Sequence, residues 1–142
     1  MSTVVREEKA KAKADFASFR DLVAWRKGMD VVYQVYGFTA QLPEQERFAL
    51  VVQMRRAAIS VPSNIAEGWG RDTTRDYIRF LHMARGLTYE LSTQAEVCRR
   101  QGYAGGWTEV IADCEELGRI INGLIKSLRR RVESKPPPPP NS

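Results

Sequence analysis

At 142 residues the chain is sized for one domain, and a hydrophobic content of 43% is enough to bury a core and exclude a disordered body. No run of about 18 apolar residues is present to span a membrane, and the start, MSTVVREEKAKAKADF, lacks the apolar core and small-residue cleavage site of a signal peptide. The formal charge of +5 permits binding to a polyanion without demanding it, and two cysteines are too few for a disulfide framework, so a reducing, cytoplasmic setting is expected.

In chain order, residues 1–17 form a charged tail or helix extension without an apolar stripe to bury. Residues 18–134 hold 17 basic and 14 acidic side chains, a net of +3. Within them a first helix carries Leu22, Trp25, Met29, Val32 and Tyr36 at 3-4-3-4 spacing. Leu42-Pro43 ends it and places Pro43 at the first turn of a second helix, with Glu44 and Glu46 near its positive dipole end. That helix shows Leu50, Met54, Ala57 and Val61, flanked by Phe48, Val51 and Ala58. Pro62 removes the bond to the carbonyl of Ala58 and predicts a kink.

Gly68-Trp69-Gly70-Arg71-Asp72 breaks the chain, and Asp72 or Thr73 caps a third helix. Its stripe is Tyr77, Leu81, Ala84, Thr88, Leu91, Ala95 and Cys98. Gly102, Gly105 and Gly106 end it, and Trp107 or Thr108 opens a fourth. The fourth carries Val110, Cys114, Leu117, Ile121, Leu124 and Leu128 as a heptad stripe, widened by Ile111, Ile120 and Ile125. Short connections make neighbours antiparallel. The pattern predicts an all-α, up-and-down four-helix bundle with helices of roughly 20–28 residues, 30–42 Å long. Residues 135–142, with Pro136 to Pro140, form a polyproline II segment, read as a solvated tail in preference to a ligand for a proline-binding domain.

Catalytic groups are scarce. His82 is the single histidine and sits in an arginine-rich stretch, which favours a surface or packing role over a base. The repeated Glu-x-x-His pairs of a di-iron bundle are missing, so no metal or other cofactor is expected. Cys98 and Cys114 occupy stripe positions and read as buried free thiols. Two polar groupings remain. Arg71, Arg75 and Arg79 recur at i, i+4, i+8, with Arg85 further along; Arg99 and Arg100 end the same helix, and Arg129, Arg130 and Arg131 end the fourth. Such a ridge can track phosphates, although arginines near helix ends also complement the dipole and keep a surface soluble. On the second helix Arg56, Ser60, Asn64 and Glu67 share one side, beside Arg55. There Ser60, Ser63 and Asn64 would hydrogen-bond backbone freed at Pro62, and Glu67 would pair with an arginine of a neighbouring helix; a ligand-binding strip is the alternative.

The stretch Gln53-Met54-Arg55-Arg56-Ala57-Ala58-Ile59-Ser60-Val61-Pro62-Ser63-Asn64-Ile65-Ala66-Glu67-Gly68 closely resembles the signature of the bacterial four helix bundle protein family, first noticed within intervening sequences of 23S ribosomal RNA genes. Leu22-Val23-Ala24-Trp25-Arg26-Lys27, Phe80-Leu81-His82-Met83-Ala84-Arg85-Gly86 and Glu90 match too, over roughly residues 19–130. Leu87 stands where relatives carry Ser or Thr. The resemblance implies an antiparallel bundle assembled as a homopentameric ring. It also implies similarity to the accessory variability determinant proteins of diversity-generating retroelements, basic barrels that bind nucleic acid and a reverse transcriptase. The expectation is therefore a non-enzymatic, oligomeric, RNA- or DNA-binding accessory protein. The alternative is an oligomeric scaffold that docks another protein through exposed aromatics such as Trp69 or Trp107.

Overall fold

The computed structural model describes residues 17–134; the expectations for the N-terminal segment 1–16 and for residues 135–142 lie outside them. Four helices follow in order: α1 Val23–Thr39, α2 Leu50–Trp69, α3 Thr74–Arg100 and α4 Trp107–Glu133. Short 3-10 turns at Phe19–Asp21 and Glu44–Glu46 precede α1 and α2. No strand occurs among the described residues. Consecutive helices pack on one another and α1 closes against α4, giving the expected antiparallel four-helix bundle.

The α3 stripe is buried throughout, from Tyr77 to Cys98. On α4 it follows Val110, Cys114, Leu117, Ile121, Ile125 and Leu128. Ile125 takes the core position expected of Leu124, because an α-helix repeats every 3.6 residues and drifts ahead of a strict heptad. The stripe of α1 is rotated from the expected one. Ala24, Gly28, Val31, Val32 and Val35 face the bundle, whereas Trp25 and Met29 are half-buried and Tyr36 is exposed. Small residues face inward there because α2 comes close: a Cβ on Gly28 would lie 3.5 Å from the Pro62 Cβ. At 17 residues α1 is also shorter than expected.

Two boundaries differ from the sequence expectation. Pro43 precedes a separate 3-10 turn, and α2 itself starts only at Leu50. Beyond it, α2 runs as one continuous helix through Pro62 to Trp69. The Ser63 hydroxyl donates to the Ile59 carbonyl (2.8 Å) and the Asn64 amide to the Ser60 carbonyl (2.8 Å). Both side chains thus bond the turn around the proline, though not the Ala58 carbonyl it deprives. Thr73 caps α3, its hydroxyl accepting from the Asp76 N–H at 3.1 Å. At the far end Gly102 takes φ +72°, and the Tyr103 and Gly102 N–H groups close on the Cys98 and Arg99 carbonyls. This is the Schellman arrangement that a left-handed glycine makes inexpensive.

Candidate nucleic-acid interface

The arginines expected to form one ridge divide by what they touch. Arg71 lies in the turn before α3, since the helix begins at Thr74, so the i, i+4, i+8 line is not a helical face. Its guanidinium stacks on the Phe80 ring at 4.5 Å and pairs with Asp76 (3.3 Å) and Glu67 (3.9 Å). Arg79 stacks on the same ring at 4.7 Å and pairs with the same Asp76 at 2.9 Å. Two cations therefore share one ring and one carboxylate. Arg85 donates to the Asn122 side chain of α4 at 2.7 Å. Arg99 and Arg100 both close on Glu96, at 2.6 and 2.9 Å, and hold its carboxyl down at about 2. Glu67 thus pairs with Arg71, four residues on, and not with an arginine of a neighbouring helix.

Arg75 is different. It is exposed and makes no ion pair or hydrogen bond among the described residues. With Arg129 it lines a groove of about 300 Å³ floored by Ile78 and Val132, with Glu133 at its edge. The antiparallel packing of α3 and α4 makes this groove by setting the first turns of one against the last turns of the other. Arg129 also donates from Nη2 to His82 Nε2 at 2.9 Å. Desolvation, then the charges of Arg85 and Arg129, push the imidazole pKa below its ordinary value. A guanidinium can only donate, so Nε2 is the acceptor in this contact.

On α2, Arg55 turns back to α1: its guanidinium stacks on Tyr36 at 4.5 Å and donates to the Thr39 hydroxyl at 3.0 Å. Arg56 is exposed and makes no such contact among the described residues. Ser60 and Asn64 are half-buried, the Asn64 amide donates to the Ser60 carbonyl, and Glu67 is exposed. The strip is largely local structure, with Arg56 its one outward cation.

Residues 20–123 match the family model of the 23S rRNA-intervening sequence protein. The chain belongs to that family. A protein of unknown function from the S23 ribosomal protein family of Bacteroides thetaiotaomicron VPI-5482, solved at 1.70 Å, is similar with a TM-score of 0.67. The two are 22% identical, and the match covers 73% of this chain and 99% of that one; likeness at this level concerns the fold. No curated protein matches the chain.

Elsewhere in this family member, sequence reasoning missed the polar link between α1 and α4. Lys27 pairs with Asp113 (2.9 Å) and Glu116 (3.1 Å), and Gln34 donates to the other Asp113 oxygen at 2.8 Å. Burial alone would raise the Asp113 pKa, but the bonds from Gln34 and Lys27 outweigh it and the net shift is downward. The bond to Asp113 raises that of Lys27 against the opposing effect of burial. The depressed carboxyl contributes stability above its unfolded pKa and loses it as pH falls through the folded value. The raised amine contributes below its own unfolded pKa and loses it as pH rises through the folded value. Asp113→Asn should cost about 1–2 kcal/mol at pH 7. The cost should shrink in acid, where the parent protonates as well. Urea unfolding at both pH values checks this, and an equal loss at both would disprove the ionic contribution.

Cys98 and Cys114 are buried free thiols, pushed by desolvation up to about 11 and about 12. No group of three or more His, Cys, Asp or Glu suited to hold a metal occurs among the described residues, and no helix there is long and apolar enough to cross a membrane.

Proposed function

We propose that this family member is a non-enzymatic, homo-oligomeric protein that binds structured RNA through the basic end of its bundle. The observation that carries the reading is Arg75, unpaired among the described residues and set beside Arg129 at the mouth of an open groove. Arg130 and Arg131 extend the charge along the last turn of α4. The reading narrows the expected interface. Arg71, Arg79, Arg99 and Arg100 already face carboxylates, which a phosphate would have to displace. A single copy presents few free cations, so the reading relies on avidity between copies, the homopentamer implied by the family resemblance.

Affinity for a structured RNA should fall steeply from low to physiological salt. Replacing Arg75 and Arg129 together with Gln should weaken it roughly tenfold at low salt and flatten the salt dependence by about two phosphate contacts. Arg99→Gln with Arg100→Gln should do much less, because Glu96 neutralises that pair. Negligible affinity at low salt, or affinity indifferent to salt, would remove the phosphate-contact model. Light scattering tests assembly separately.

Exposed aromatics favour a second reading as a protein-docking scaffold, though not those expected. Trp107 is 2% exposed and belongs to the core, and Trp69 packs edge-on against Tyr77 with ring centroids 6.5 Å apart. Phe48, 84% exposed, and Tyr33, 70% exposed, are the outward rings. Binding of RNA that survives loss of Phe48 and Tyr33 but not of Arg75 and Arg129 would decide for the first reading. A reverse transcriptase as client enters only through the likeness to retroelement accessory proteins.

A further inference from the structure

Trp25 and Met29, expected in the core stripe of α1, instead line a second groove between α1 and α2. Trp25, Met29 and Val32 of α1 face Ile59 and Pro62 of α2 across about 280 Å³ of open space. Phe19 closes one end. Its ring meets Trp25 edge-on at 5.5 Å, and Arg20 stacks over Phe19 at 4.6 Å. This lip is preorganised: the turn Phe19–Asp21 carries a capping box between Ser18 and Asp21, and Arg26 ties it down by donating to the Arg20 carbonyl at 2.9 Å. The indole N–H of Trp25 makes no hydrogen bond among the described residues. The site thus offers aromatic and aliphatic faces together with hydrogen-bond donors.

That chemistry suits a polyproline II strand. Proline rings lie against flat aromatic faces, and the backbone of such a strand has carbonyls to accept bonds and no N–H to satisfy. One segment of this chain has that composition, Pro136 to Pro140. The N-terminal segment 1–16 is a poorer match, being rich in charge and without an apolar stripe.

Reach decides whose segment it is. Lys27 on α1 stands opposite Asp113 and Glu116 on α4. Ser134 lies 18 residues past Glu116, about 27 Å along the helix axis. Trp25 is only two residues before Lys27, about 3 Å in the same direction. The end of α4 therefore overhangs the level of Trp25 by roughly 24 Å, or roughly 18 Å when the register is taken from Gln34, which bonds the same Asp113. Pro140 lies six residues past Ser134, about 19 Å even if fully extended as polyproline II. A chain's own Pro136–Pro140 would at best bring its last proline to the level of Trp25 and could not lie along the groove. A neighbouring copy has no such constraint.

We propose that the groove between α1 and α2 binds the Pro136–Pro140 segment of a second copy of this chain, a contact that rests on the oligomeric reading above. The full chain labelled with 5-fluorotryptophan gives three fluorine resonances, one for each tryptophan, assigned by single Trp→Phe variants. With Pro136 to Pro140 all replaced by Ser, the Trp25 resonance should move while those of Trp69 and Trp107 stay in place. Next, the labelled five-serine chain is refolded together with excess unlabelled parent. Its Trp25 resonance should return to the parent position, because neighbours now supply the proline segment. An unmoved Trp25 resonance in the five-serine variant overturns the proposal, and so does a shift common to all three tryptophans. Failure to recover in the mixture overturns it in favour of a contact within one chain. Light scattering on the parent separates the two failures: a monomer defeats the oligomeric reading and this inference together, while an oligomer with an unresponsive Trp25 defeats this inference alone.

Discussion

Replacing Trp107 with alanine is expected to cost about 3–5 kcal/mol, the largest single-residue loss in the bundle. The side chain is 2% exposed at the start of α4. Its ring meets Phe38 of α1 edge-on at 5.6 Å, and its indole N–H donates to the Tyr103 carbonyl at 3.1 Å. The connection from α3 is wrapped around it. Gly105 sits at φ +139°, and a Cβ there would lie 2.9 Å from the indole; a Cβ on Gly106 would lie 2.7 Å from Phe38. Truncation therefore empties a site whose walls come from α1, α4 and the connecting turn, and a tight turn has little freedom to collapse inward. Thermal unfolding followed by circular dichroism should show a midpoint lower by roughly 10–20 °C. Trp107→Phe, which keeps the ring contact and loses the hydrogen bond, should lose much less. A loss under about 1 kcal/mol for the alanine variant would show that the ring is peripheral to folding.

The long helices were the most legible part of the sequence. On α3 the stripe from Tyr77 to Cys98 repeats without a break over seven positions, and it is buried as read. On α1, apolar residues occur nearly all round: Val23, Trp25, Met29, Val31, Val32, Val35 and Tyr36. Two registers then compete, and large side chains are the wrong guide when helices approach closely, because Ala24 and Gly28 are what the approach requires. The error concealed the α1–α2 groove, whose α1 wall includes Trp25 and Met29. The arginine pairings were partly readable. Asp76 lies three residues before Arg79, and Glu96 lies three and four before Arg99 and Arg100, spacings that join side chains on a helix. The position of Arg71 outside α3 depends on where Thr73 caps, a local choice between two good cap residues. Arg85–Asn122, Arg129–His82 and Lys27–Asp113 join residues 37, 47 and 86 positions apart. Their meeting depends on the register of packed helices, which periodicity leaves free.

The approach of α2 to α3 sets up an opposition between two physical effects at Gly68. By helix propensity, alanine should be better than glycine near the end of α2 by up to about 1 kcal/mol. The packing says otherwise. A Cβ on Gly68 would lie 2.8 Å from the Phe80 Cβ, 3.0 Å from Tyr77 Cδ1 and 3.3 Å from the Tyr77 carbonyl oxygen. The nearest of these is fixed to the α3 backbone and the last is part of it, so neither can swing aside. The helices must separate, and overpacking of this kind costs about 1–3 kcal/mol. Gly68→Ala is therefore expected to be destabilising, with an unfolding midpoint lower by about 3–10 °C. Gly86→Ala is the control: it is also a helix-interior glycine, a Cβ there would meet nothing within 4 Å, and it should gain roughly 0.5–1 kcal/mol. Opposite signs in the two variants would establish the close approach, and a gain in both would reduce Gly68 to a poor helix residue. The effect should extend beyond stability. Phe80 carries Arg71 and Arg79 on its face, so forcing it outward should loosen both guanidiniums from Asp76 and make them available to anions. A destabilised Gly68→Ala protein with stronger, more salt-sensitive RNA binding than its parent would link the packing of α2 on α3 to the charge the basic end presents.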